Sequence, residues 1–206
     1  MATDQFHLHY SEVVQGDFKL AEMNLMLIFQ VNCPESFAYA FPVMLRLFED
    51  YKDTRLKMLG LSTACEDFDL NTLGNTIRLV EQGQVVGKAK KMLERAGHEK
   101  FPLTIPFDIA FDELKPNDLS HLEEDIDQFC RNNVEFNAQN TEVKRNIKEQ
   151  LREYFSKKTL RAHTFDANHL KGTPSWVLFD KNKNLLYESF GHKEYERLEH
   201  IIKKFL

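Results

Sequence analysis

The sequence predicts an α/β fold: a mixed sheet flanked by helices, with an α-helical insertion. Three observations carry that prediction. Apolar, β-rich runs alternate with amphipathic stretches, as they do when a sheet is covered on both faces. A strand–turn–strand pattern followed by a helix closes the chain and makes part of the sheet antiparallel. Between these parts, residues 118–158 are densely charged and hold no Gly or Pro, so they read as helices outside the sheet.

In chain order, FHLHY at 6–10 alternates and reads as a short edge strand. LMLIFQV at 25–31 is a continuous apolar run, the pattern of a strand buried on both faces. From Glu35 the pattern turns helical: Phe37, Phe41, Met44, Leu45 and Phe48 form one stripe. Pro42 lies inside that helix and should kink it. LKMLGLS at 56–62 is a second strand. Residues 69–83 and 86–97 read as helices closed by Gly83 and Gly97. FPLTIPFDIAF at 101–111 is extended, and its two prolines argue against a central strand. LSHLEEDIDQFCRNN and EVKRNIKEQLREYF are two amphipathic helices joined near 133–140. SWVLFD at 175–180 and LLYESF at 185–190 form a hairpin, and EYERLEHIIKKFL is a closing helix.

A chain of 206 residues, 42% apolar with 17 Phe, can bury one sizeable core. The expected organisation is one domain over 1–206, with 116–160 as a helical insertion. A net charge of −5 disfavours a nucleic-acid partner. The basic runs KAKK (88–91) and SKKTLR (156–161) are solvated helix faces. No run of 18 apolar residues exists, so no membrane partner is expected. The first 20 residues lack a signal-peptide pattern. Three widely spaced cysteines do not make a disulfide framework. Both observations point to a cytoplasmic protein with reduced thiols.

The residues Phe29-Gln30-Val31-Asn32-Cys33-Pro34-Glu35-Ser36, Pro42, Gly172-Thr173-Pro174 and the WVLFD hairpin with its helix carry a resemblance. Their order and spacing resemble the thioredoxin fold. The similarity is to its redoxin branch, with the TlpA- and ResA-like thioredoxins and the AhpC/TSA relatives. It covers roughly residues 19–112 and 160–206. In that family the positions of Cys33 and Ser36 are usually both cysteines, one attacking a disulfide and one resolving it. Here the motif is C-x-x-S. The peroxidase version of the fold carries Thr or Ser three residues before its Cys and Pro seven before. Here those positions are Gln30 and Met26. The resemblance implies that Thr173-Pro174 is a cis-proline turn facing the reactive Cys, offering its backbone to an extended substrate.

Cys33 is the catalytic candidate. A thiol at a helix N-terminus meets unpaired N–H groups and the positive end of the dipole, and both favour the thiolate. Glu35, two residues on, opposes it. The bland alternative is a small apolar residue. Pro34 suits the first helical turn, and with Thr173 and Pro174 completes the expected substrate-binding set. Ser36 either donates a hydrogen bond to the sulfur or is a plain helix residue. Cys65, after the second strand, is either a distant resolving thiol or a structural one. Cys130 reads as an apolar-face residue and Trp176 as core. His7 with His9, and His163 with His169, lack a Cys or carboxylate at zinc-site spacing. No metal and no cofactor are therefore expected. The inserted helices are either a lid, a docking surface or plain elaboration.

Two functions remain. The first is a thiol–disulfide oxidoreductase of monothiol type, with a protein disulfide or glutathione as substrate. The alternative is a redox-inactive peptide-binding module using the same groove.

Overall fold

The computed structural model describes residues 5–131 and 134–206. Met1–Asp4 and the expected end of the first inserted helix, Asn132-Asn133, lie outside the described residues. The chain divides into two compact units, Leu114–Arg161 and the remainder.

The larger unit is built on a six-stranded sheet. Its strands are β1 (Tyr10–Gln15), β2 (Met23–Phe29), β3 (Leu56–Ser62), β4 (Asp108–Asp112), β7 (Ser175–Asp180) and β8 (Leu185–Phe190). Its helices are α1 (Phe41–Tyr51), α2 (Leu73–Gln82), α3 (Gly87–Arg95), α7 (His163–Ala167) and α8 (Tyr195–Lys203). The strand order is β1-β4-β3-β2-β7-β8. β2, β3 and β4 run parallel, while β1, β7 and β8 pair antiparallel to their neighbours. This is the mixed α/β sheet the alternating pattern implies.

Every residue of β2 is buried, which explains the apolar run from Leu25; Asn24, its one polar residue, is buried with its side chain bonded to the Ala21 backbone. Leu25, Leu27 and Phe29 pack into the main cluster with Phe41, Met44 and Leu47 of α1, Leu93 of α3, and Leu198 and Ile202 of α8. Met26 and Ile28, alternating with them, are buried on the other face. Trp176 is wholly buried and donates its Nε1–H to Gly191 O at 3.1 Å.

The helix after β2 begins at Pro34 and is π-helical over Ser36–Ala40, with Phe41 N bonded to Ser36 O. Regular α-helix resumes at Phe41, so the irregularity expected at Pro42 is a π segment just before it. Proline has no N–H for an i−4 acceptor, and a wider turn absorbs the mismatch.

Two strand readings need correction. Phe6–His9 do not form an edge strand; β1 starts at Tyr10. Phe6 is buried against Phe179, ring centroids 4.9 Å apart, and its N–H bonds Lys183 O, so this segment is pinned to the β7–β8 turn. β4 is an interior strand despite the prolines before it. Pro102 and Pro106 precede it, and Asp108–Asp112 is proline-free, so every ladder N–H survives.

The smaller unit holds α4 (Leu122–Arg131), α5 (Val134–Asn137) and α6 (Thr141–Lys157). Its short strands β5 (Leu114–Pro116) and β6 (Leu160–Ala162) pair where the chain leaves and returns. Ile126 and Cys130 are buried, Asn140 caps α6 through Val143 N, and Arg152 pairs with Glu123. Among the described residues, no helix is long and apolar enough to cross a membrane.

Candidate functional site

Cys33 stands where β2 turns into its helix, immediately before the first helical residue, Pro34. Its N–H closes a tight turn onto Gln30 O at 3.1 Å. The thiol is partly exposed. It donates toward Thr173 O at 3.3 Å and lies 3.4 Å from Glu35 Oε2. The Thr173-Pro174 peptide is cis, and Pro174 is buried behind the partly exposed Thr173. The structure therefore brings Cys33, Pro34, Thr173 and Pro174 to one place. Both groups that the sulfur meets are acceptors.

Ser36 takes a different part. It is fully buried, and its hydroxyl has no hydrogen-bond partner, so of the two readings of Ser36 the hydrogen bond to the Cys33 sulfur is not formed. Three residues into the helical run, its side chain is turned into the interior while Cys33 stays at the surface. Cys65 is buried in the loop after β3. Cys130, in the other unit, is free, and burial pushes its thiol up from its ordinary value.

Two amides that the sequence reading did not single out organise the turn. Gln30 accepts from Thr173 Oγ1 at 2.9 Å and donates to Glu66 O at 3.1 Å, joining the proline loop to the Cys65 loop. Asn32 is buried and bonds in four directions. Its Nδ2 donates to Asp67 Oδ2 at 2.7 Å and its Oδ1 accepts from Lys88 N at 2.7 Å. Its backbone N–H meets Asn71 Oδ1 at 3.1 Å and its carbonyl accepts from Ala89 N at 3.2 Å. Gly87, at φ 53°, lets α3 start against this side chain: a Cβ there would sit 2.1 Å from Asn32 Oδ1. The available signal was a pair of amides, Gln30 and Asn32, closing an otherwise apolar run.

A second cluster joins residues the sequence kept apart. His9 stacks on His163 with ring centroids 3.7 Å apart, and His163 Nδ1 lies 2.8 Å from Glu113 Oε2. One histidine comes from each of the pairs considered above. Beneath them, Asp112 is fully buried and accepts from Thr164 N, Thr63 Oγ1 and Phe165 N. Burial, opposed by those bonds, pushes its carboxyl up to about 6.

The sheet order, the thiol before the first helix and the proline loop facing it define a thioredoxin-like fold. A thiol–disulfide isomerase from Corynebacterium glutamicum shares it at a TM-score of 0.60 and 16% identity, over 99% of this chain and 96% of that one. A thioredoxin-like superfamily protein matches at a TM-score of 0.56 and 15% identity, over 98% of this chain and 96% of that one. No protein-family model matches the chain, and no curated protein matches its sequence.

Proposed function

We propose that the protein is a thiol–disulfide oxidoreductase of monothiol type acting through Cys33. The observation that carries this reading is the placement of a partly exposed Cys33 thiol at the mouth of a helix, facing the cis Thr173-Pro174 loop. Cys33, deprotonated to solvent, attacks one sulfur of a protein disulfide. The new S–S bond forms as the old one breaks, and the other substrate sulfur leaves as a thiolate and takes up a proton. With serine at position 36, an outside thiol of the glutathione class then attacks the mixed disulfide and frees Cys33. The net step exchanges one thiol of the substrate disulfide for that outside thiol. Cys65, in the loop tied to Gln30, is a candidate resolving thiol: it would attack the Cys33 sulfur, expel the substrate thiol and leave a Cys33–Cys65 disulfide for two outside thiols to reduce. Thr173 and Pro174 align the substrate segment, and Pro34 borders it. A reducing compartment such as the cytoplasm suits a site with a single thiol.

The test is capture of partners on Cys33 as mixed disulfides in cell extract, identified by mass spectrometry, with Cys33→Ser as control. Adducts that persist until an outside thiol is added support the reading. Equal capture by Cys33→Ser overturns it.

One observation favours a redox-inactive binding module instead. Glu35 Oε2 and Thr173 O both accept from the sulfur, which suits a thiol that keeps its hydrogen. In that case the same loop holds an extended peptide without covalent chemistry, and no adduct accumulates.

A further inference from the structure

We propose that His9, Glu113 and His163 form a binding site for a zinc-class divalent cation. One ligand atom from each residue lies within 4.8 Å of the others. The donor set of two imidazoles and one carboxylate is that of open zinc centres, with three protein ligands and a fourth position for water. It suits zinc, cobalt or ferrous ions better than calcium or magnesium, which take oxygen ligands.

The backbone holds the three residues in register before any ion arrives. His163 N donates to Glu113 O at 2.7 Å. His9 N donates to Thr164 Oγ1 at 2.8 Å, and that hydroxyl donates back to His9 O. Thr164 N is fixed in turn by Asp112 Oδ1 at 2.8 Å. Three segments far apart in sequence are thus tied at the positions that carry the ligands. These bonds fix the backbone from which the three ligand side chains project.

The ligand atoms are near one another, and one ring rotation completes the set. Ligand atoms of a tetrahedral zinc site, each about 2.0–2.1 Å from the ion, lie roughly 3.3 Å apart. His163 Nδ1 and Glu113 Oε2 are already 2.8 Å apart. The two imidazoles stack within 15° of parallel, so one ring must turn to aim its lone pair at a shared ion. The side chains of His163 and Glu113 are 25% and 37% exposed, which leaves an entry path and room for water. An ion here would tie the residue before the 114–161 segment to the second residue after it.

The experiment is calorimetric titration of the full chain with zinc ion, alongside Glu113→Gln, His9→Ala and His163→Ala. One equivalent should bind the parent, with affinity falling about tenfold or more in each variant. Affinity should also fall as the pH drops, because protons compete for the imidazole nitrogens. Glu113→Gln keeps a hydrogen-bonding side chain, so it tests the carboxylate where an alanine variant fails to fold. Cobalt substitution should give a spectrum without a thiolate charge-transfer band, which separates this site from Cys33, Cys65 and Cys130. Absence of zinc binding by the parent, or unchanged affinity in Glu113→Gln, overturns the proposal, as does a thiolate band.

Discussion

The Cys33 sulfur lies 3.3 Å from the carbonyl oxygen of Thr173, 140 residues further along the chain. Two loops from opposite halves of the sequence therefore converge on one partly exposed sulfur. Cys65 and Cys130 are buried, and burial also disfavours the Cys130 thiolate. A water-soluble alkylating reagent at neutral pH should therefore label Cys33 at least about tenfold faster than either. Glu35→Gln should quicken that labelling, because a charge about 4 Å away in water-like surroundings is worth roughly 1 kcal/mol, or about fivefold in rate. Peptide mapping of partly labelled protein gives all three rates. Slower labelling of Glu35→Gln would show that the carboxylate assists the thiol.

Asn32 should matter more to the site than its place beside the cysteine suggests. Asn32→Ala removes the acceptor of Lys88 N and the donor to Asp67. Both bonds are only part-buried and their partners, Lys88 and Asp67, are exposed residues, so losing the two costs about 1–3 kcal/mol together. Gly87→Ala should act on the same contact from the other side, by clash and by strain at φ 53°. Both variants should lower the urea midpoint and slow Cys33 capture. A midpoint loss with an unchanged Cys33 rate would confine Asn32 to the fold.

Much of this architecture is legible in the sequence because it rests on short-range periodicity. The run 56–62 becomes β3 with the same limits, as do 175–180 and 185–190 for β7 and β8. Reading fails where distant contacts decide. Phe6 obeys a packing contact with Phe179, not the alternation around it. The three-residue strands β5 and β6 and the five-residue α7 are too short to set a period. Cys33 is visible by its position before a helix, but its supports are not. Gln30 reaches Thr173 across 143 residues, and Asn32 reaches Lys88 across 56. The His9–His163 stack fails for the same reason: histidines close in sequence invited pairing, while the fold pairs one from each group.

At the far end of the β2–β4 sheet region, Lys57 bridges two acids, Asp17 at 2.9 Å and Asp108 at 2.8 Å. The hydrogen bond from Lys57, then that from Lys19, holds the Asp17 carboxyl well below the usual carboxylate range. A depressed acid stabilises the fold above its unfolded value of 3.8, and the contribution fades as the pH falls below that. Lys57→Met should therefore lower stability at neutral pH, and the gap to the parent should narrow as the pH drops below about 4. Urea midpoints across that range measure it. The effect should be modest and salt-sensitive, because Asp17 is exposed. A gap that stays constant down to low pH would mean that Lys57 acts through its packed stem.

Ser36 offers the sharpest manipulation of the site. Its hydroxyl is buried and hydrogen-bonds nothing, so its removal breaks no bond, and Ser36→Ala should be neutral or slightly stabilising. Ser36→Cys puts a thiol of similar size in that position, three residues after Cys33. Residues three apart on a helix have Cβ atoms about 5–6 Å apart, close enough for a disulfide after a small adjustment. The variant should then oxidise to an intramolecular disulfide, detected by loss of two reactive thiols on mild oxidation. It should also reduce insulin disulfides faster than the parent, whose activity should be weak. Mixed disulfides trapped on Cys33 should become scarce, because the new thiol releases them from within. If the disulfide forms while insulin reduction stays at the parent level, Cys33 is not poised for exchange, and the groove serves binding alone. If no disulfide forms, residue 36 is held too deep in the core to reach the sulfur. Its serine would then be a packing residue with no part in the chemistry of the loop.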